Sequence, residues 1–320
     1  MAEMQAIRIY EYGSRDGIRL STVQQPQILE DEVLVRVHAA SINPVDWKVC
    51  DGILKEKLVM KMPFTPGGDF SGVVAAVGKP DSVWKLGDAV FGMTSTPGYR
   101  SGAFAEYVAV KAEHIAKKPR DLSHVQSASV PLAALTAWQA VFDRGEIRRG
   151  QRVLIHAGAG GVGGFAIQFA KHAGAHIITT TSAANSDYVR SLGADEVVDY
   201  RAIEFDVVLK DIDVVIDLIG EDVQARSYAV LRRGGILVNA WGSIMADKAQ
   251  LAGVHGRKVA VEANGDQLAQ IAGLMNAGKI KTTVAKIFPY REAAAGFDLS
   301  RAGHVRGKVV LTLWDDSEAA

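Results

Sequence analysis

The fold is decided by residues 151–174, which read QRVLIHAGAGGVGGFAIQFAKHAG. A β-branched run is followed by Gly158, Gly160 and Gly163, and then by an alanine-rich segment with helical character. In a strand-to-helix turn, glycines at this spacing permit the tight turn, the approach of a pyrophosphate and close helix packing. The same glycines alone would also suit a surface turn, but their flanks predict dinucleotide binding. The predicted contacts are Gly158, Gly160, Gly161, Val162 and Gly163.

The chain after this turn alternates short β-branched runs with stretches long enough for helices. The predicted strands are residues 153–156, 176–180, 196–199, 214–218, 236–240 and 258–262, with a helix over 266–277. Such alternation is the signature of βαβ units and a parallel sheet. The sequence therefore predicts an α/β domain with a doubly wound parallel sheet of the Rossmann type.

The chain before residue 121 has a different character. Short β segments, among them residues 32–39, 70–77 and 88–91, are separated by glycine and proline, as in a compact β barrel. Residues 121–142 have helical spacing, and residues 284–313 return to β character. We therefore predict a β domain over residues 1–120, completed by 281–320, and a dinucleotide-binding domain over 121–280.

Composition excludes several classes of protein. The chain has 320 residues, enough for two domains, and its 36 basic and 36 acidic residues give no net charge and form no basic block. A nucleic-acid partner is therefore not expected. The single cysteine favours a reducing compartment. Since neither a signal peptide nor a run of about 20 apolar residues is visible, we expect a cytoplasmic protein without a membrane partner.

The end of the second predicted strand bears on the choice of dinucleotide. NAD binders carry an acid there that holds the ribose 2′-hydroxyl, but residues 179–182 read TTTS. The absence of an acid leaves room for a 2′-phosphate and favours NADPH. The candidates for holding it by hydrogen bonds are Ser182, Asn185 and Tyr200, with Arg190 or Arg201 as the cation. Alternatively, these polar residues only cap the next helix.

Several further segments carry a family resemblance. They are NPVDWK (43–48), PGGDFSG (66–72), GDAVFG (87–92), GAFAEY (102–107), PLAALTAW (131–138), SLGADE (191–196) and GKVVL (307–311). With the glycine turn, they resemble the medium-chain dehydrogenase/reductase superfamily, in its zinc-free quinone oxidoreductase group, which includes zeta-crystallin-like proteins and plant enone reductases. The resemblance implies a GroES-like β-barrel domain built from both chain ends, a Rossmann domain and a homodimer.

Two catalytic residues are implied by this resemblance. The Asn43 amide would donate to an acceptor carbonyl or order the nicotinamide ribose, although Asn43 also suits a turn before Pro44. Lys48 would stabilise an enolate or hydroquinone anion and deliver a proton. Plant enone reductases also carry lysine there, which favours enones over quinones. The alternative for Lys48 is a solvated surface charge.

The remaining predicted cofactor contacts lie elsewhere in the chain. Thr136 would face the nicotinamide or the pyrophosphate, unless its hydroxyl bonds back within its own helix. Four residues follow the fourth and fifth predicted strands, at whose carboxyl ends cofactors bind in such sheets: Leu218, Gly220, Ala240 and Trp241. Lys308 is implied only by the family.

No metal site is expected. In zinc-dependent relatives a cysteine, a histidine and a second cysteine hold the catalytic zinc. The resemblance aligns the first cysteine with residues 42–44, puts Gly68 in place of the histidine, and puts residues 130–131 near the second cysteine. The four-cysteine structural lobe is absent as well, and zinc needs such ligands at close spacing.

The combined interpretation is a zinc-independent oxidoreductase that transfers hydride from NADPH to a quinone or an α,β-unsaturated carbonyl compound. An alcohol dehydrogenase is a second hypothesis, which the missing zinc ligands disfavour. A third, from a different class, is a non-catalytic NADPH-binding protein that acts as a redox sensor or structural protein. The fold alone does not separate these hypotheses, since function depends on the site.

Overall fold

The computed structural model describes residues 2–94 and 101–313. The strands are β1 (Glu3–Ile9), β2 (Ile18–Gln24), β3 (Glu32–Ile42), β4 (Asp69–Val77), β5 (Ala89–Met93), β6 (Tyr107–Lys111), β7 (Ile115–Lys117), β8 (Arg152–Ile155), β9 (His176–Thr181), β10 (Glu196–Asp199), β11 (Ile212–Asp217), β12 (Leu231–Asn239), β13 (His255–Lys258), β14 (Val284–Pro289) and β15 (Lys308–Thr312). The helices are α1 (Pro44–Cys50), α2 (His124–Ala128), α3 (Pro131–Trp138), α4 (Gly161–His172), α5 (Ser186–Ser191), α6 (Phe205–Val208), α7 (Glu221–Ser227), α8 (Ala246–Ala252), α9 (Gly265–Asn276) and α10 (Ala293–Ala302).

The chain divides into two compact units. The first comprises Met1–Leu132, Ala263–Ala277 and Thr282–Ala320, and the second comprises Ala133–Glu262 and Gly278–Lys281. These bounds differ from the predicted ones, because α2 and α9 belong to the first unit. Helix α9 lies against β7, and Gly265 at its start has no room for a side chain beside the carbonyl of Ile115. Helical character alone does not reveal which sheet a helix covers.

The second unit contains the predicted parallel sheet. Its strand order is β10-β9-β8-β11-β12-β13, and every neighbouring pair is parallel. In order along the chain these strands read 3-2-1-4-5-6, which is the arrangement of a Rossmann fold. The prediction of a doubly wound sheet is therefore confirmed. The carboxyl ends of β8 and β11 lie side by side at the point where the strand order reverses.

The last strand of this sheet was misplaced by the sequence pattern. The strand predicted at residues 258–262 is β13, which ends at Lys258. Helix α8 ends at Ala252, and the φ of 66° at its C-cap Gly253 lets the chain turn directly into the sheet. Lys258 lies opposite Asn239, the last residue of β12, and the Val259 N–H donates to the Asn239 carbonyl at 2.9 Å. Pairing with β12 therefore ends there, before residues 260–262.

The predicted helical region 121–142 is likewise interrupted. Ser123 caps α2, whose last residue is Ala128, and a new helix begins at Pro131. Proline suits a first helical turn because its missing N–H would have no intrahelical partner there. After Trp138 the helix continues as a π-helix over Gln139–Arg144.

The first unit is built around a sheet of order β14-β15-β3-β4-β5-β7, with β6 also paired to β3. Strand β15, from the end of the chain, pairs antiparallel with β3, so the predicted return of the chain to its first domain is confirmed. The core of this unit contains Phe70, Phe104 and Phe297, each with no exposed surface. Strand β3 leads into α1 through Asn43, so the sheet register decides where Asn43 lies.

Candidate functional site

The glycine turn connects β8 to α4 as predicted. Packing within the chain excludes a side chain at Gly158 and at Gly163. A Cβ on Gly158 would overlap the Thr179 hydroxyl, and one on Gly163 would overlap the Ala157 carbonyl. These two glycines therefore allow the turn to lie against β9 and the helix to lie against the turn.

Gly160 is different, because nothing in the described part of the chain excludes a side chain there. Its φ is −74°, and among the described residues other than its two chain neighbours, an added Cβ would meet only the Ala157 carbonyl oxygen within 4 Å, at 3.4 Å. Gly160 is the N-cap of α4, and Gly161 and Val162 are the first residues of this 12-residue helix. The first N–H groups of a helix lack intrahelical partners and attract anions. The open space beside Gly160 therefore fits a pyrophosphate.

The threonines at the end of β9 support the turn. Thr179 Oγ1 donates to the Ile155 carbonyl at 2.7 Å, and Thr180 Oγ1 lies 3.1 Å from His156 Nδ1 and accepts from the Ala157 N–H at 3.3 Å. Burial lowers the pKa of His156 to about 4, so its ring is neutral at pH 7. Sequence reasoning overlooked this residue, although it directly follows the first Rossmann strand.

The residues predicted to bind a 2′-phosphate lie just beyond β9. Asn185 Nδ2 lies 3.3 Å from the Ser182 hydroxyl. The Tyr200 N–H donates to the Thr181 carbonyl at 3.3 Å, while the Tyr200 ring is 46% exposed. The guanidinium of Arg201 lies 5.7 Å from the centre of that ring. The structure thus brings Tyr200 and a cation to the end of β9.

The ends of β11 and β12 are held together by Asp217, which sequence reasoning missed. Its carboxylate accepts from the N–H groups of Ile219 and Gly220 and from Asn239 Nδ2, each at 2.9 Å. Gly220 has φ 86°, a conformation that favours glycine. The Ala240 N–H donates to the Asp217 carbonyl at 3.0 Å. An acid at a strand end followed three residues later by glycine was the available signal.

The other predicted cofactor contacts are distributed over both units. Three of them are half-buried at the strand ends of the second unit, namely Leu218, Ala240 and Trp241. Thr136 lies on α3 and is buried within the second unit. Lys308 belongs to the first unit, where its side chain is only 6% exposed. The cofactor contact predicted for Lys308 stays a prediction.

In the first unit Asn43 lies at the centre of a buried polar cluster. It is the N-cap of α1 and is 1% exposed. Its backbone N–H donates to Asp46 Oδ2 at 2.7 Å, and its side-chain Nδ2 donates to Asp69 Oδ2 at 2.8 Å. The same Asp69 oxygen accepts from the Ser41 hydroxyl at 2.8 Å. Asn43 is thus held in one place by α1 and β4.

Lys308 completes this cluster from the far end of the chain. Its Nζ donates to Asn43 Oδ1 and, at 3.1 Å, to the Ile42 carbonyl. It also lies 3.7 Å from Asp69 Oδ2. Lys308 is the first residue of β15, and its neighbour Val309 pairs with Ile42 on β3. Sequence reasoning missed the cluster because its members are far apart along the chain.

The buried charges of the cluster do not balance, since two carboxyl groups face one ammonium. Burial, together with the nearby charge of Asp69, raises the pKa of Asp46 to about 7. Hydrogen bonds from the Asn43 and Gly68 backbone and the charge of Lys308 oppose this rise. Burial also raises the pKa of Asp69 and lowers that of Lys308. The pKa of Asp46 therefore lies near neutral pH.

Lys48 lies in the last turn of α1. Its side chain is half-buried, and burial lowers the pKa of its ammonium. Its Nζ lies 5.4 Å from the centre of the Trp47 ring, within the range of a cation–π contact. A lysine with a lowered pKa gives up a proton more readily than an exposed one.

The described residues contain no cluster of metal ligands and no membrane-spanning helix. Within residues 2–94 and 101–313, no three His, Cys, Asp or Glu side chains are grouped so that they could hold a metal ion. No helix of the described part of the chain is long and apolar enough to span a membrane.

Replacing Asp46 by asparagine is expected to change how stability depends on pH. A carboxyl whose folded pKa is raised from 3.8 to about 7 stabilises the fold most below pH 4, and this contribution is lost as the pH rises through 7. An asparagine at residue 46 carries no ionisable proton, so the variant does not lose this stability as the pH rises. The variant should therefore gain on the order of 2–4 kcal/mol relative to wild type between about pH 4 and pH 8. Urea unfolding across that range measures it.

The exposed Asp16 supplies the control. Asp16→Asn, a change at an exposed carboxyl, should leave the free energy of unfolding at pH 7 within about 0.5 kcal/mol of wild type. If Asp46→Asn and wild type show parallel stability curves between pH 4 and pH 8, Asp46 is ionised throughout this range and the argument is wrong.

Comparisons with known proteins agree with this architecture. Residues 29–120 match the family described as alcohol dehydrogenase GroES-like domain, and residues 192–311 match that described as zinc-binding dehydrogenase. The chain is 33% identical to the mitochondrial NAD(P)H oxidoreductase RTN4IP1 of Bos taurus, over 97% of this chain and 89% of that protein. It is 35% identical to the chloroplastic NADPH-dependent alkenal/one oxidoreductase of Arabidopsis thaliana, over 97% and 79%.

Solved structures give the same result. The quinone oxidoreductase from Coxiella burnetii is 34% identical and superimposes with a TM-score of 0.90, covering 98% of this chain and 100% of that chain. The mycobacterial protein Rv1454c, solved in complex with NADPH, is 27% identical with a TM-score of 0.85, covering 97% and 100%. The chain therefore belongs to the medium-chain dehydrogenase/reductase superfamily, in the group of NAD(P)H and quinone oxidoreductases.

Proposed function

We propose that this protein is a zinc-independent reductase that uses NADPH to reduce a quinone or an α,β-unsaturated carbonyl compound. The observation that carries the proposal is the open space at Gly160, beside the N-terminus of α4, in a turn where packing requires Gly158 and Gly163 to be glycine. When bound there, NADPH supplies the hydride. The chain must hold the pyrophosphate, support the nicotinamide end and stabilise negative charge on the acceptor oxygen.

The groups that would hold the cofactor all lie in the second unit. The first N–H groups of α4 are suited to the pyrophosphate. The side chains of Ser182 and Tyr200, with the Arg201 cation, are suited to a 2′-phosphate, and residues 179–182 contain no acid that would repel it. The loop ordered by Asp217 would support the nicotinamide end through Leu218 and Gly220. One similar protein is named NADPH-dependent and another was solved with NADPH, which supports this choice of cofactor.

Two residues of the first unit are proposed to act on the acceptor. The Asn43 amide would donate a hydrogen bond to the acceptor oxygen, where charge develops during reduction. Lys48 would stabilise the resulting anion and protonate it. Asparagine at residue 43 and glycine at residue 68 do not offer the cysteine and histidine that hold zinc in zinc-dependent relatives. Similar proteins named for alkenals, for quinones and for 2-methylene-furan-3-one support an activated carbonyl substrate.

The test is oxidation of NADPH or NADH by the purified protein with a benzoquinone, a naphthoquinone, an alkenal and a cyclic enone. We expect turnover with NADPH that survives prolonged treatment with a chelator. NADPH binding without turnover of any acceptor would favour a non-catalytic NADPH-binding protein. Loss of activity to the chelator would contradict zinc independence, and a preference for NADH would contradict the 2′-phosphate assignment.

Lys48→Ala is expected to lower kcat by about tenfold or more, because general acid–base groups contribute factors of this size and larger. The Kd for NADPH should stay within about threefold of wild type, since Lys48 is proposed to act on the acceptor. Stopped-flow turnover and fluorescence titration measure the two quantities. The exposed Lys55, in the loop that follows α1, is the matched control, and Lys55→Ala should change neither. Wild-type kcat in Lys48→Ala would remove Lys48 from the mechanism.

Assembly and location are part of the same proposal. Strand β13 is an edge of the parallel sheet, and we propose that two copies pair there to form a homodimer. Light scattering of the purified protein tests this, and a monomeric mass contradicts it. A cytoplasmic location also stays a proposal, and several similar proteins are named as mitochondrial or chloroplastic.

A further inference from the structure

We propose that Lys308 and Asp69 form an orientation lock for the Asn43 amide, so that this residue presents a hydrogen-bond donor to the substrate. The inference rests on the proposed function, in which Asn43 contacts the acceptor oxygen. It assigns Lys308 a positioning role in the first unit instead of the cofactor contact that the family resemblance implied.

The lock follows from the hydrogen-bonding capacity of three groups. An ammonium can only donate, and an ionised carboxylate can only accept. Lys308 Nζ donates to Asn43 Oδ1, and Asn43 Nδ2 donates to Asp69 Oδ2 at 2.8 Å. If the amide rotated by 180°, its NH₂ would face the ammonium and its oxygen would face the carboxylate. Both charge-assisted hydrogen bonds would then be lost, so only one orientation is stable.

This orientation leaves one amide hydrogen available. Asn43 Nδ2 has two hydrogens, and among the described residues the one that does not bond to Asp69 has the Ser41 carbonyl as its acceptor, at 3.5 Å. A contact of this length is weak. A ligand oxygen that reaches this hydrogen would compete only with that weak contact. An amide free to rotate would instead present its oxygen part of the time and would repel the same ligand atom.

The surroundings of Lys308 argue against a direct role in cofactor binding. Its Nζ donates to the Ile42 carbonyl and to Asn43 Oδ1, and the negative charge of Asp69 lies beside it, with Oδ2 at 3.7 Å. Its side chain is 6% exposed. Gly307, with φ 83°, lies so close to the Thr283 carbonyl that no side chain fits there. The backbone therefore holds Lys308 at the start of β15, beside β3.

The first experiment needs no catalytic activity. The side-chain amide of Asn43 is observed by ¹⁵N NMR in wild type and assigned by its absence in Asn43→Ala. We expect slow hydrogen exchange of this NH₂ group in wild type and at least tenfold faster exchange in Lys308→Met. Equal exchange rates in folded Lys308→Met would overturn the lock, whether or not the protein oxidises NADPH.

The second experiment asks whether Lys308 positions Asn43, binds the cofactor, or only neutralises the charge of Asp69. Lys308→Met should lower kcat/KM for the acceptor by 10- to 100-fold while the Kd for NADPH stays within threefold, and Lys308→Arg should recover part of the loss. Lys308→Met/Asp69→Asn removes both charges and should recover stability without recovering turnover. A tenfold higher Kd for NADPH in Lys308→Met, or full turnover in the double variant, would overturn the proposal. If wild type oxidises NADPH with none of the acceptors, the proposed function fails, while the NMR result still decides the lock.

Discussion

Gly160→Ala is expected to weaken NADPH binding at least tenfold while changing the free energy of unfolding by no more than about 1 kcal/mol. Residue 160 has a φ that any amino acid adopts, and an added Cβ meets only one carbonyl oxygen, at 3.4 Å. The protein therefore tolerates alanine. A phosphate cannot approach the first N–H groups of α4 in this variant, because the alanine methyl group occupies the space that the phosphate needs. Fluorescence titration with NADPH and urea unfolding measure the two effects.

Gly158→Ala is the matched comparison, since it lies in the same turn and adds the same methyl group. That group would overlap Thr179 Oγ1, which is itself hydrogen-bonded to Ile155. Forcing atoms into a packed site costs about 1–3 kcal/mol. Gly158→Ala should therefore lose stability, whereas Gly160→Ala should lose only affinity. If Gly160→Ala binds NADPH as tightly as wild type, the pyrophosphate does not approach this glycine and the proposed function loses its main support.

Asp69→Ala is expected to destabilise the first unit by about 3–5 kcal/mol, the range found when one partner of a buried ion pair is removed. The Asp69 carboxylate has no exposed surface and accepts from three donors besides lying near an ammonium. The donors are Ser41 Oγ, Asn43 Nδ2 and the Leu132 N–H, each at 2.8 Å, and the ammonium is that of Lys308. Alanine leaves all of them without this acceptor, and the buried charge loses its nearest counter-charge.

Urea unfolding measures this loss of stability. One further variant is an exposed control, and another tests whether the unpaired ammonium causes part of the loss. Asp81 is exposed and its ion pair with Lys79 is long, at 3.9 Å, so Asp81→Ala should change stability by less than about 0.5 kcal/mol. Adding Lys308→Met to Asp69→Ala should recover part of the loss, because the uncompensated ammonium is then gone. A loss below about 1 kcal/mol in Asp69→Ala would show that the cluster contributes little to folding.

Several elements could be predicted because local chemistry dictates them. The strand at residues 153–156, the glycine turn and the helix that follows form one contiguous segment, so the spacing of Gly158, Gly160 and Gly163 was sufficient. The family resemblance predicted the GroES-like unit and its completion by the end of the chain. Asn43 was singled out by resemblance, and its catalytic role stays a prediction. The predicted bounds of β13 were wrong because pairing with β12, and not β propensity, decides where this strand ends.

By itself, the sequence determined the Rossmann turn, the alternation of strands and helices after it and the absence of an acid where NAD binders carry one, because each depends on residues close together in the chain. Only the tertiary structure decided how Asn43 is held. Lys308 and Asn43 are 265 residues apart, and they meet because β15 pairs with β3. Burial in that sheet removes water from the charges, which is why the orientation of one amide and the pKa of Asp46 depend on the fold and not on the local sequence.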